Sequence, residues 1–172
     1  MTVLSYVGLL GFAAFLAASA PAQSTGWQLQ PQVGAKGPIL TFNAGDPVSY
    51  RFECTPNDVI VTETGVTKLI DLKTGQPIGD DAQAIMPTGA AMMALFGGNG
   101  DPQFVPAEAV KSAAIGWDLT IRLPKDDRQI KAVGKAKVMS LFTTGYTMAV
   151  VMDGPARAKW NEFVRRCQTA VR

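Results

Sequence analysis

Val48-Ser49-Tyr50-Arg51-Phe52-Glu53-Cys54 alternates strictly between apolar and polar side chains. Successive residues of a strand point to opposite faces, so this pattern predicts a half-buried β-strand. Val48, Tyr50, Phe52 and Cys54 then lie on the core side, and Ser49, Arg51 and Glu53 face solvent. An exposed Glu53 is suited to a cross-strand ion pair. Asn43-Ala44-Gly45-Asp46-Pro47 before the strand and Thr55–Asp58 after it are turn chemistry.

Downstream, Val59–Thr64 is rich in β-branched residues and predicts a second strand, ending at Gly65. Val66–Leu72 reads as a third, and Lys73-Thr74-Gly75-Gln76 as a hairpin turn before Pro77 and Ile78, so Val48–Ile78 reads as an antiparallel meander. Upstream, Trp27 and Leu29 alternate with Gln28 and Gln30, and Ile39–Phe42 suggests another short strand. Trp117, Leu119, Ile121 and Leu123 alternate with Asp118, Thr120 and Arg122, a pattern as clean as the opening one. Between them, Ile85–Phe96 fits helix or strand, Gly97–Pro102 is a loop, and Pro106–Ala114 suits a short helix.

The C-terminal third changes character. Asp126 and Asp127 suit a helix start. Ile130, Val133, Val138, Leu141 and Phe142 then outline an imperfect helical face, closed by Gly145. Tyr146–Met152 reads as a buried strand. Asp153-Gly154-Pro155 opens a terminal helix in which Trp160, Phe163, Val164 and Cys167 repeat at i, i+3, i+4 and i+7.

Cys54 on a strand and Cys167 on that helix therefore both face the core. These are the only two cysteines, and no C-x-x-C motif exists. An even count in an exported chain predicts a Cys54–Cys167 disulfide, with two buried thiols as the alternative. On the chain-entropy model such a closure is worth about 4–5 kcal/mol. The fold expected is α+β: an antiparallel β-sheet with the C-terminal helix tied onto it by the disulfide. The alternative is a β-sandwich with peripheral helices.

Residues 1–22 carry no charged side chain, are mostly apolar or small, and end in Ala20-Pro21-Ala22. That layout predicts a signal peptide cleaved before Gln23, leaving residues 23–172 as one exported domain, periplasmic or secreted. The apolar run is about 18 residues, at the low edge of a membrane span, and no Lys/Arg cluster flanks it. The expectation is that the cleaved chain is not an integral membrane protein.

The 172 residues include no histidine, which removes the commonest general base and metal ligand. Ser112 beside Lys111 and Ser140 after Lys137 match no nucleophile motif. Glu53, Glu63, Asp71, Asp80, Asp81, Asp101, Glu108 and Asp118 are available for carboxylate chemistry, and no spacing selects a pair. No catalytic residue, metal site or cofactor is assigned. The methionines are soft enough for Cu(I), but gap-filling is their ordinary work.

Two surfaces remain. Met86, Met92, Met93 and Phe96, beside the Gly97–Pro102 loop, outline a candidate apolar patch for a peptide or lipid. Most of the 16 basic residues follow residue 121, and most of the 14 acidic residues precede it. Arg128, Lys131 and Lys135 on one helix face are candidate contacts for an anionic surface, and Arg157, Arg165, Arg166 and Arg172 lie on the last helix. Aromatic and basic residues do not interleave, which argues against nucleic acid. The function expected is a non-catalytic exported envelope binding or interaction protein of unknown ligand, its partner an envelope protein, lipid or anionic polymer. The alternative is a carboxylate-based hydrolase acting on an envelope polymer.

Overall fold

Alternation carries directly into the inner face of a large sheet. The computed structural model describes residues 26–30, 37–45, 49–79, 85–87, 89–98 and 100–169. The expected signal peptide lies outside the described residues, as do Val48, Asp80, Asp81 and Arg172. The strands are β1 (Gly26–Gln30), β2 (Ile39–Asn43), β3 (Ser49–Cys54), β4 (Asp58–Val66), β5 (Ala91–Phe96), β6 (Val105–Lys111), β7 (Trp117–Pro124), β8 (Val138–Thr143) and β9 (Tyr146–Val151). The helices are α1 (Arg128–Val133) and α2 (Gly154–Thr169).

All neighbouring strands pair antiparallel, in the order β1-β2-β3-β4-β7-β6-β5-β8-β9. The chain climbs through β1 to β4 as a meander, skips two positions to β5, and fills them on the way back with β6 and β7. It then crosses through α1 to the free side of β5. The sheet curls as a half-barrel. Its inner face holds Tyr50, Phe52 and Cys54 from β3, Val59 and Val61 from β4, and Leu119, Ile121 and Leu123 from β7, all buried.

The structure is mostly antiparallel β-sheet with a C-terminal helix and the Cys54–Cys167 disulfide, whose Cα atoms are 5.5 Å apart. Asp153 caps α2 by accepting from the Ala156 N–H at 2.8 Å. The apolar stripe of α2 lies on β1 and β2. Trp160 and Phe163 are fully buried, and the Trp160 ring meets Phe52 edge-on with centroids 4.9 Å apart. Each such side chain contributes about 1.5–3 kcal/mol by leaving water. The Lys125 ammonium donates to the Cys167 carbonyl at 3.2 Å, closing the end of α2 over the disulfide.

Five local expectations are corrected. The strand at Tyr146–Met152 is not buried: one face of β9, with Thr147, Ala149 and Val151, is exposed at the sheet edge. The helix over 126–145 stops at Val133: it starts near the two aspartates, with Asp127 as its N-cap rather than in its first turn, but Gly134 ends it and the chain becomes β8. Both faces of β8 are largely covered, so Met139 and Leu141 inside and Ser140 and Phe142 outside do not alternate in polarity. Pro106–Ala114 is strand β6 rather than helix, since sheet pairing overrides the helix propensity of Ala, Glu and Lys. Val66–Leu72 is not a strand beyond Val66. It forms a loop turned by Asp71 and closed by an Ile70–Pro77 bridge. Glu53 pairs with Arg51 on its own strand, not across the ladder. The ambiguous 85–96 stretch contains strand β5.

Two glycines set close approaches. A side chain on Gly116 would meet the Val66 carbonyl oxygen at 2.3 Å, and its φ is +66°, so the β6–β7 hairpin requires glycine there. At Gly97, a Cβ would lie 2.5 Å from the Ala132 carbonyl carbon. Its absence lets α1 sit directly on the end of β5.

Candidate functional site

That close approach makes a cleft. Between the end of β5, residues 100–103 and α1 lies a cavity of about 250 Å³. Leu95, Phe96 and Ala132 give it apolar walls, and Asp101, Arg128 and Gln129 supply polar groups. Gln129 is only 7% exposed, yet its side-chain carbonyl has no hydrogen-bond partner. Its neighbour Ile130 is in the core, so the short helix is held by packing while Gln129 lines the cleft. The Arg128 Nε donates to Gln103 Oε1 at 2.7 Å, steadying the guanidinium against the loop. Asp101 and Arg128 line the same cleft and make no ion pair with each other.

A second unusual group lies inside the half-barrel. Glu63 alternates with Val59 and Val61 and therefore points inward. It is fully buried, both carboxylate oxygens lack partners, and burial pushes its pKa up to about 8. It stays largely protonated at neutral pH. Tyr50, opposite in the β3–β4 register, is also fully buried with an unpartnered hydroxyl. Burial first, then the Glu63 and Tyr146 charges, hold that phenol well above its ordinary value.

The residues singled out in the sequence are scattered by the fold. Phe96 and Arg128, from different patches, meet in the cleft. Met93 is fully buried on the inner face of β5, while Met92 and Phe96 project from the other face, so a strand rather than a surface divides that patch. Phe96 packs edge-on against Phe142 at 5.6 Å. Met86 is half-buried against the core. Arg128, Lys131 and Lys135 do not share a helix face, because α1 ends at Val133, before Lys135. On α2, Arg165 and Arg166 both pair with Glu162 at 2.6 Å, which offsets the basic face there. Cys54 and Cys167 come together in the disulfide.

Sequence reasoning missed Gln129 and the inward placing of Glu63; it put Tyr50 on the core side without pairing it to an acid. An acid in phase with Val59 and Val61 is a legible signal; a buried Gln129 at the start of a six-residue helix has none. Among the described residues, no group of three or more His, Cys, Asp or Glu gathers to hold a metal ion, and no helix is long and apolar enough to cross a membrane. The chain matches no protein-family model, and the searches of curated proteins and solved structures give no match.

Proposed function

We propose that this chain is a non-catalytic, exported cell-envelope binding protein whose ligand seat is the cleft between β5 and α1. The observation that carries the reading is the Gln129 carbonyl, buried beside that cleft without a partner. An unpaired buried acceptor costs about 1–3 kcal/mol, and a ligand donor would recover that cost. Apolar walls with a few convergent polar groups are the ordinary make-up of a small-molecule site. At about 250 Å³ the cleft suits a compact ligand.

The disulfide supports export, because such bonds persist in oxidising compartments. The apolar, uncharged opening of the chain supports the same location. Hydrolysis by paired carboxylates requires two acids flanking the scissile bond, and among the described residues Asp101 is the one acid lining the cleft, which supports binding over catalysis.

Amide chemical shifts of labelled protein, titrated with a small-fragment library, test this. Shifts should concentrate at Phe96, Gly97, Asp101 and Gln129 and vanish in Gln129→Leu for ligands that donate to it. Shifts confined to other surfaces, or none across the library, would overturn the proposal. So would a turnover by purified protein that a single substitution abolishes.

A further inference from the structure

The cleft contains opposite charges that leave each other alone. Arg128 spends its Nε on Gln103, and its terminal nitrogens have no partner. Asp101 makes no hydrogen bond or ion pair. Two opposite charges at one small cavity ordinarily neutralise one another, since a few ångströms of approach gains Coulomb energy even near water. Held apart, they present a cationic and an anionic contact at once. The same cleft is lined by Gln129, whose buried Oε1 is short of a donor. The terminal amide torsion of glutamine is soft, so a small rotation aims that carbonyl at an incoming N–H. Phe96 and Pro102 give the cleft partly exposed apolar surface.

We propose that the cleft takes a compact zwitterion with an apolar side group: an amino acid or the end of a very short peptide. This rests on the binding reading above. The ligand carboxylate lies on the Arg128 guanidinium, whose planar donors match carboxylate geometry. The ammonium group lies between Asp101 and the Gln129 carbonyl. The apolar side group lies on Phe96 and Pro102.

The test is isothermal titration of the full chain with L-phenylalanine, L-phenylalanine amide, N-acetyl-L-phenylalanine and glycyl-L-phenylalanine. The amide lacks the carboxylate and the acetyl derivative lacks the ammonium. Each should bind about tenfold or more weakly than the zwitterion, the scale of one lost charge-assisted contact. Arg128→Gln should erase the difference between phenylalanine and its amide. Asp101→Asn should erase the difference between phenylalanine and its acetyl derivative. Both residues are exposed, so these variants keep the fold. Tighter binding of the dipeptide would assign a peptide end, and tighter binding of phenylalanine a free amino acid; either supports the class.

Equal binding of phenylalanine, its amide and its acetyl derivative would overturn the zwitterion while leaving the seat intact. So would a neutral fragment that shifts Gln129 while none of the four phenylalanine compounds binds. Failure of these compounds together with an empty fragment library would overturn the binding reading itself.

Discussion

Tyr50 and Glu63 stand opposite each other across the β3–β4 ladder, both fully buried and both without a hydrogen-bond partner. A phenol and a carboxyl share the interior of an otherwise apolar half-barrel. Leu119 lies on the other side of Glu63 from β7, and Tyr146 from β9 adds its charge to the field at Tyr50. Among the described residues, no cation reaches Glu63 to hold it ionised.

Stability should therefore fall with rising pH through a defined window. The folded pKa of Glu63, about 8, lies above its ordinary 4.5, so the native state keeps a proton that the unfolded chain releases. The contribution is fully present below about pH 4.5, is lost progressively up to about pH 8, and is flat beyond. The slope approaches 1.4 kcal/mol per pH unit, or about tenfold in the folding equilibrium. Glu63→Leu removes the titrating group. Urea unfolding at several pH values should show the variant gaining on the wild type across that window. A pH-independent difference would contradict a buried, unpaired Glu63.

The disulfide should separate oxidised from reduced protein. Oxidised protein should resist denaturant better by about 4–5 kcal/mol, less any strain. Cys54→Ser should match the reduced wild type and be insensitive to reductant. Equal stability of the two redox forms would contradict the staple.

Trp160 ties α2 to α1 as well as to the sheet, because its indole N–H donates to the Ile130 carbonyl at 3.2 Å. Trp160→Ala should cost about 3–5 kcal/mol. Hydrogen exchange should quicken in α1 along with α2. Loss of protection confined to α2 would show that the indole does not hold α1.

Gly97→Ala should force α1 off the end of β5, since the new methyl would meet Ala132 backbone at 2.5 Å. Overpacking of this kind costs about 1–3 kcal/mol. Denaturant unfolding and fragment affinity at the cleft should both fall. Gly154→Ala, with open space around its added methyl, is the neutral comparison. Unchanged cleft affinity in Gly97→Ala would contradict the role given to the close approach.

The sequence was most legible where one strand face is wet and the other buried. β3 and β7 alternate cleanly for that reason, and the terminal helix is readable from its single apolar stripe. It was least legible where both faces are covered. β8 carries Met139 and Leu141 inside and Phe142 outside, so its period of two is hidden and imitates a helix. β6 mixes the helix formers Ala107, Glu108, Ala109 and Lys111 with Val105, Pro106 and Val110, and its pairing with β5 and β7 makes it a strand. The cleft joins Phe96 to Arg128, which are far apart in sequence, and it depends on Gly97 accepting a helix backbone at close range. No local pattern encodes that meeting.

The central claim is that the cleft is a ligand seat. Crystals of the protein soaked with a cocktail of small polar fragments test it most directly. The account predicts fragment density against Phe96, with a donor within hydrogen-bond distance of Gln129 Oε1 and a group facing Arg128 or Asp101. A cleft that holds no fragment, while Gln129 turns its carbonyl to a partner within the protein, would contradict it.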